Sequence, residues 1–225
     1  MSGFVLPPPP QPSVAVQGET ARFAVRRIFC VGRNYADHAR EMGHDPDAEP
    51  PFFFTKPADA VVESGARLPY PTATTDLQHE AELVVALGTA GVNVPEAEAL
   101  ALVYGYAAGN DLTRRDLQAA AKAARRPWDM SKGFDHSAVI GPIRRGAAPQ
   151  GRIRCKVQDR LTQDADLAEM IWPVAGIIAH LSRLVALAPG DLIMTGTPAG
   201  VGPIARGETC VVEIDGLLPA AVTLV

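Results

Sequence analysis

The run Gln78-His79-Glu80-Ala81-Glu82-Leu83-Val84-Val85, followed by Gly109-Asn110-Asp111, holds the residues of this chain best suited to chemistry. Along a β-strand side chains alternate faces, so the spacing predicts that Glu80 and Glu82 point one way while Ala81 and Leu83 point the other. Two like charges on one half-buried face repel, and burying carboxylates without a partner is costly. A divalent cation removes both problems. Oxygen-only ligands suit Mg²⁺ or Mn²⁺, with Ca²⁺ also accommodated, rather than zinc, and Asp111, ending the next apolar strand, would supply a third. A solvated edge strand with two exposed acids fits the same pattern, and a Glu-x-Glu alone does not choose between the two.

Histidine is the side chain whose charge changes near neutral pH, and His38 stands three residues before Glu41. On a helix that spacing gives a shared face, so Glu41 could orient His38 as a general base or take a proton itself. A surface helix with a routine His–Glu pair fits equally well. Thr197 lies in a Gly-rich turn where a hydroxyl and backbone N–H groups can converge on a carboxylate, although the turn needs its glycines in any case.

The elements that must position these groups are mostly short. Residues 1–24 are rich in Pro, Gln and Ser and read as an extended arm. Ile28-Phe29-Cys30-Val31-Gly32 is a strand, and residues 35–42 form a short helix with Asn34 as its N-cap and Gly43 as its C′ residue. Phe52-Phe53-Phe54-Thr55 reads as a buried strand stopped by Lys56-Pro57. After the Glu-x-Glu strand come a helix over 95–102, a strand over 103–108 leading to Asp111, and a helix over 114–125. Pro173 opens a helix in which Ile177, Ile178, Leu181, Leu184 and Val185 recur at helical spacing. Strands over 191–194, 209–214 and 218–225 close the chain. No repeat and no composition break follows the arm, so residues 25–225 read as one catalytic domain of the α+β class, dominated by sheet.

A net charge of −4 over 225 residues argues against nucleic acid as the main partner, because a phosphate-binding surface makes a domain basic. Cys30, Cys155 and Cys210 are odd in number and lack C-x-x-C spacing, as expected of reduced thiols in a cytoplasmic protein. Residues 1–13 contain a proline run and no apolar h-region, so no signal peptide is expected there. No apolar stretch approaches the roughly 20 residues that span a bilayer, and no membrane partner is expected.

Four motifs in order point to one family: Cys30-Val31-Gly32-Arg33-Asn34-Tyr35-Ala36-Asp37-His38, the His79-Glu80-Ala81-Glu82 strand, residues 128–135, and Thr195-Gly196-Thr197-Pro198-Ala199-Gly200-Val201-Gly202. Together they resemble the fumarylacetoacetate hydrolase family over residues 25–225. Within it, Arg40-Glu41-Met42-Gly43, residues 49–62 and 114–118, and Lys132-Gly133-Phe134-Asp135-His136-Ser137 are most similar to the branch that cleaves fumarylpyruvate in bacterial gentisate breakdown. One departure is Val157-Gln158-Asp159, where that branch has a Val-Asn-Gly turn; it implies an altered hairpin away from the metal.

The resemblance implies a mixed β-sandwich roll with a few short helices, a homodimer, and a Mg²⁺ or Mn²⁺ ion on Glu80, Glu82 and Asp111. It implies hydrolysis of a carbon–carbon bond in a 2,4-diketo acid, foremost fumarylpyruvate to fumarate and pyruvate. His38 and Glu41 would then form the dyad that activates water, and Lys132 would stabilise the developing enolate. Thr197 and Gln118 would hold the keto-acid end, with Arg33, Arg114 or Arg115 as the cation for a distal carboxylate. The helix over 35–42 and the loop over 44–51 would form a lid, while His44, His136 and His180 receive no role. The same site would serve acylpyruvate hydrolysis, oxaloacetate decarboxylation, or isomerisation and decarboxylation in homoprotocatechuate breakdown. A non-catalytic metabolite-binding protein would be expected to lack one or more of Glu80, Glu82, Asp111, His38 or Lys132, and all are present.

Overall fold

The strand Ala81–Leu87 is buried at every position, which requires protein on both of its faces. In the computed structural model, which describes residues 3–41 and 50–225, this strand is central to the largest sheet. The order of that sheet is Phe52–Lys56, Arg27–Gly32, Asp191–Met194, Ala81–Leu87, Val103–Asp111, Ala138–Ile140 and Val61–Glu63, with Arg144–Arg145 also on Val103–Asp111. Pairing is antiparallel except for Asp191–Met194 on Arg27–Gly32 and Ala138–Ile140 on Val61–Glu63. A second sheet runs Arg160–Asp166, Arg152–Val157, Thr209–Ile214, Ala220–Leu224 and Ala66–Leu68.

Alternation along the central strand sorts its side chains into two cores. Leu83, Val85 and Leu87 pack with Ile153, Cys155 and Val212 of the second sheet, and Val84 and Ala86 pack with Ile28, Cys30, Leu192 and Met194 on the other side. Each of the Leu, Val, Ile and Met side chains among them contributes about 1.5–3 kcal/mol by leaving water. The helices are α1 (Ala36–Glu41), α2 (Glu96–Ala99), α3 (Arg115–Ala123), α4 (Asp129–Lys132) and α5 (Val174–Leu184). Ile177, Ile178 and Leu181 of α5 are buried, whereas Leu184, expected in the same stripe, is 68% exposed because the helix ends there. The sheet-dominated α+β roll matches the expectation, and among the described residues no helix is long and apolar enough to cross a membrane.

Several local expectations change. Within the expected arm, Ser13–Ala15 and Arg22–Ala24 pair as antiparallel strands, and Val14 enters the second core. Asn34 does not cap α1. Its amide instead donates to Trp172 O and Thr195 O and accepts from Trp172 N, fastening the start of α1 to distant segments. Phe52, Phe53 and Phe54 are half-buried, since their strand lies at a sheet edge, and the buried residue there is Lys56. Val157-Gln158-Asp159 turns the Arg152–Val157/Arg160–Asp166 hairpin with Gln158 at φ 54°, in the left-handed region. Residues 44–49 of the expected lid, with Met42 and Gly43, lie outside the described residues.

Candidate metal and substrate site

The strand expected to pass through Glu80 is two strands. Leu77–His79 pairs with Thr113–Arg114 and Gly202–Pro203 in a small sheet, while Ala81–Leu87 belongs to the large one. Glu80 is the residue between them. Its backbone N–H donates to Asn110 Oδ1 at 3.0 Å, and its carbonyl accepts from Asp111 N at 2.9 Å. These bonds and the Ala81↔Asn110 register bring Asp111 beside Glu80 and Glu82. One carboxylate oxygen from each of the three lies within 4.8 Å of the others, and all three residues are buried.

Each carboxylate has a different partner set. Lys132 Nζ lies 2.7 Å from Glu80 Oε2 and 2.8 Å from Asp111 Oδ2. Lys56 Nζ lies 2.6 Å from Asp111 Oδ1, and Arg115 reaches Glu80 Oε1 at 2.5 Å. Glu82 has no ion pair among the described residues; its Oε2 accepts only from Gly196 N, at 2.8 Å. Burial opposes the Glu80 charge, but Lys132 and Arg115 outweigh it and hold this carboxyl below the usual range. Glu82 is pushed well above that range by burial, then by Asp111 and Glu80. The Lys132 ammonium is also opposed by burial, yet Asp111 and Glu80 hold its pKa above the usual lysine value.

This donor set fits a hard divalent cation. All three groups that could hold it are carboxylates, and the one without a cation partner favours a proton that a metal ion would displace. With the three carboxylates balanced by Lys56, Lys132 and Arg115, a bound divalent ion would leave two positive charges. A keto acid whose carboxylate and developing enolate are both negative would match them.

His38, Glu80, Glu82, Arg115, Gln118, Lys132, Thr197 and Arg33 all line one cleft. The structure thus brings together eight residues singled out from the sequence. Glu41 stands behind His38, with its Oε2 3.3 Å from His38 Nδ1, and accepts from Gly200 N at 3.3 Å, tying α1 to the Thr197 turn. Arg115 lies in the cleft wall but is engaged by Gln78, Gln118 and Glu80, so it holds a carboxylate of the protein. Arg114 is turned away, its guanidinium 4.2 Å from the centroid of the Phe134 ring. Arg33 adopts φ 59°, a left-handed conformation unusual for a non-glycine residue. His136 is exposed, His180 packs edge-on to Trp172, and His44 lies outside the described residues.

Three contributors were not singled out from the sequence. Lys56 is fully buried, donating to Leu112 O and Lys132 O besides pairing with Asp111. Gln163 accepts from His79 Nδ1 and Ala81 N and donates to Thr197 Oγ1 and Pro198 O. Lys122 lines the cleft from α3. Its position seven residues after Arg115, on the same helix face, is the one hint the sequence offered.

The curled sheet and the buried oxygen-only triad at the ends of its interior strands define a scaffold that could hold a divalent cation next to an open cleft. The family model described as fumarylacetoacetate (FAA) hydrolase, C-terminal, matches residues 27–225, and the chain belongs to that family of carbon–carbon hydrolases. It is 42% identical over 183 residues to the fumarylpyruvate hydrolase of a Ralstonia species, covering 80% of this chain and 95% of that protein. The crystal structure of fumarylpyruvate hydrolase from Pseudomonas aeruginosa in complex with Mn²⁺ and pyruvate superimposes with a TM-score of 0.96 at 45% identity, covering 99% of each chain. The mitochondrial oxaloacetate decarboxylase of Dictyostelium discoideum is 37% identical over 201 residues, covering 85% of this chain and 90% of that protein.

Proposed function

We propose that this protein hydrolyses fumarylpyruvate to fumarate and pyruvate, with Glu80, Glu82 and Asp111 as ligands of Mg²⁺ or Mn²⁺. The observation that carries the choice of hydrolysis is a buried imidazole, His38, in the same cleft as the carboxylate triad and braced by Glu41. Decarboxylation needs no activated water, whereas hydrolysis does. When bound, the cation supplies Lewis-acid polarisation of the 2-oxo acid end of the substrate.

The chain's own groups account for the remaining steps. His38, neutral because burial lowers its pKa, takes a proton from the water that attacks the distal ketone at C4. The C3–C4 bond then breaks, and its electron pair passes into the enolate of pyruvate while fumarate departs. Protonation at C3 by His38 completes pyruvate. Lys132 has three N–H donors, two of them on Glu80 and Asp111, which leaves one for the enolate oxygen. Thr197 accepts from Gln163, so its own O–H is available to a substrate carboxylate. By the same family resemblance we infer a homodimer, acting in the cytoplasm in gentisate breakdown; size-exclusion chromatography with light scattering checks the dimer.

The test is the loss of fumarylpyruvate's ultraviolet absorbance, with EDTA and with Mg²⁺ or Mn²⁺ restored, and oxaloacetate as the rival substrate. Rapid metal-restored cleavage to fumarate and pyruvate supports the reading. Decarboxylation of oxaloacetate with diketo acids untouched would favour the second reading, which the similarity to the Dictyostelium decarboxylase supports.

A further inference from the structure

Helix α3 presents Arg115, Gln118 and Lys122 at intervals of three and four residues, so the three share a face, and all of them line the cleft. The first two belong to its inner end, because Arg115 is bonded to both Glu80 and Gln118. Lys122 lies one turn further out, about 6 Å along the axis from Gln118 at about 1.5 Å per residue. Among the described residues no carboxylate pairs with its ammonium, whose neighbour is the Trp128 ring with its centroid 5.1 Å away. That indole is held by Phe52 and Phe54, whose rings meet it edge-on at centroid separations of 5.4 and 5.8 Å.

An ammonium held over an aromatic ring on the wall of this cleft keeps N–H donors that an incoming anion can take. We propose that Lys122, backed by Trp128, is the subsite for the second carboxylate of a dicarboxylic diketo acid, and so sets the preference of the cleft for substrates charged at both ends. This rests on the diketo-acid hydrolysis inferred above. Six bonds of an extended carbon chain, as between the two carboxyl carbons of fumarylpyruvate, span about 7 Å, close to the rise of about 6 Å that separates Gln118 from Lys122 along the helix. Phe52 and Trp128 give that middle section flat apolar walls suited to a conjugated alkene. Two of the other cations are less well placed for this task. Arg115 is committed to Glu80, and Arg114 faces Phe134 outside the cleft. The like charges of Arg115 and Arg33 add to burial in lowering the Lys122 pKa, as expected for a group awaiting a negative partner.

The experiment compares fumarylpyruvate with acetylpyruvate, which shares the 2,4-diketo acid core but ends in a methyl group. In wild-type enzyme loaded with Mn²⁺ the ratio of kcat/KM values should favour fumarylpyruvate. Lys122→Met should lower that ratio about thirtyfold, mainly through KM for fumarylpyruvate, and Lys122→Arg should restore most of it. Calorimetry with fumarate alone should show weaker binding to Lys122→Met in similar proportion. A ratio within twofold of wild type in Lys122→Met, or equal fumarate affinity, overturns the assignment while leaving diketo-acid hydrolysis standing. A wild-type enzyme that cleaves neither compound overturns both.

Discussion

Gln163 Nε2 donates to Thr197 Oγ1 at 2.8 Å, joining a strand of the second sheet to the turn beneath the cleft. Its Oε1 accepts from Ala81 N, next to Glu80 and Glu82, so one amide holds both walls of the site in register. Gln163→Leu removes all four bonds and leaves buried donors at Ala81 and His79. With each orphaned group costing about 1–3 kcal/mol, the variant should lose about 3 kcal/mol of unfolding free energy. Urea denaturation reads this directly, and an unchanged midpoint would remove Gln163 from the account of the site.

Glu82 differs from the other two carboxylates in having only a backbone donor, which makes it the one most dependent on a cation. Glu82→Ala should therefore raise the Mn²⁺ concentration for half-maximal activity by at least about a hundredfold, more than the loss of a group that merely orients a ligand. Calorimetric Mn²⁺ titration provides the same comparison without substrate. Wild-type affinity in this variant would mean that the ligand set is wrong.

The parts of the site legible in the sequence were those carried by short spacings. Glu80 and Glu82 are two residues apart and His38 and Glu41 three, and each pair could be read from the geometry of one element. Lys56 and Gln163 could not, because what buries them lies far along the chain: Lys56 meets Leu112 and Lys132, and Gln163 meets His79 and Thr197. A lysine before a proline looks like the end of a strand, and a glutamine between Thr162 and Asp164 looks like a surface position. The break at Glu80 was hidden for a related reason. Leu77–His79 and Ala81–Leu87 continue the same alternation, and only their partners in different sheets separate them. The bond of Arg115 to Glu80 was not legible in the sequence because it spans 35 residues.

Lys56 gives a second stability test. Its ammonium is fully buried and pairs with Asp111, so Lys56→Met leaves that carboxylate with Lys132 alone. Removing one member of a buried pair costs about 3–5 kcal/mol, and the metal-free variant should unfold at correspondingly lower denaturant. A cation on Asp111 replaces part of the lost charge, so Mn²⁺ should raise the stability of the variant more than that of the wild type. Equal Mn²⁺ stabilisation of both proteins would argue against Asp111 as a ligand.

His38 sets the pH dependence. Burial, the largest influence, lowers its pKa from the usual 6.5, against the upward pull of Glu80 and of Glu41. A general base acts when neutral, so kcat/KM should hold level near neutrality and fall only as pH drops through a value below 6.5. Positive charge bound beside Glu80 offsets that carboxylate and moves the acid limb lower still. Glu41→Gln removes a group that raises the His38 pKa, so its limb should lie at lower pH than that of wild type. Its plateau should also be reduced, because the imidazole loses the carboxylate that orients it. His38→Ala should abolish hydrolysis with Mn²⁺ affinity nearly retained. The profile is measured from about pH 4.5 to 8 on metal-loaded enzyme, a range centred near the ordinary histidine value. An acid limb above 6.5 in the wild type, or an upward shift in Glu41→Gln, would assign the titrating base to a residue other than His38.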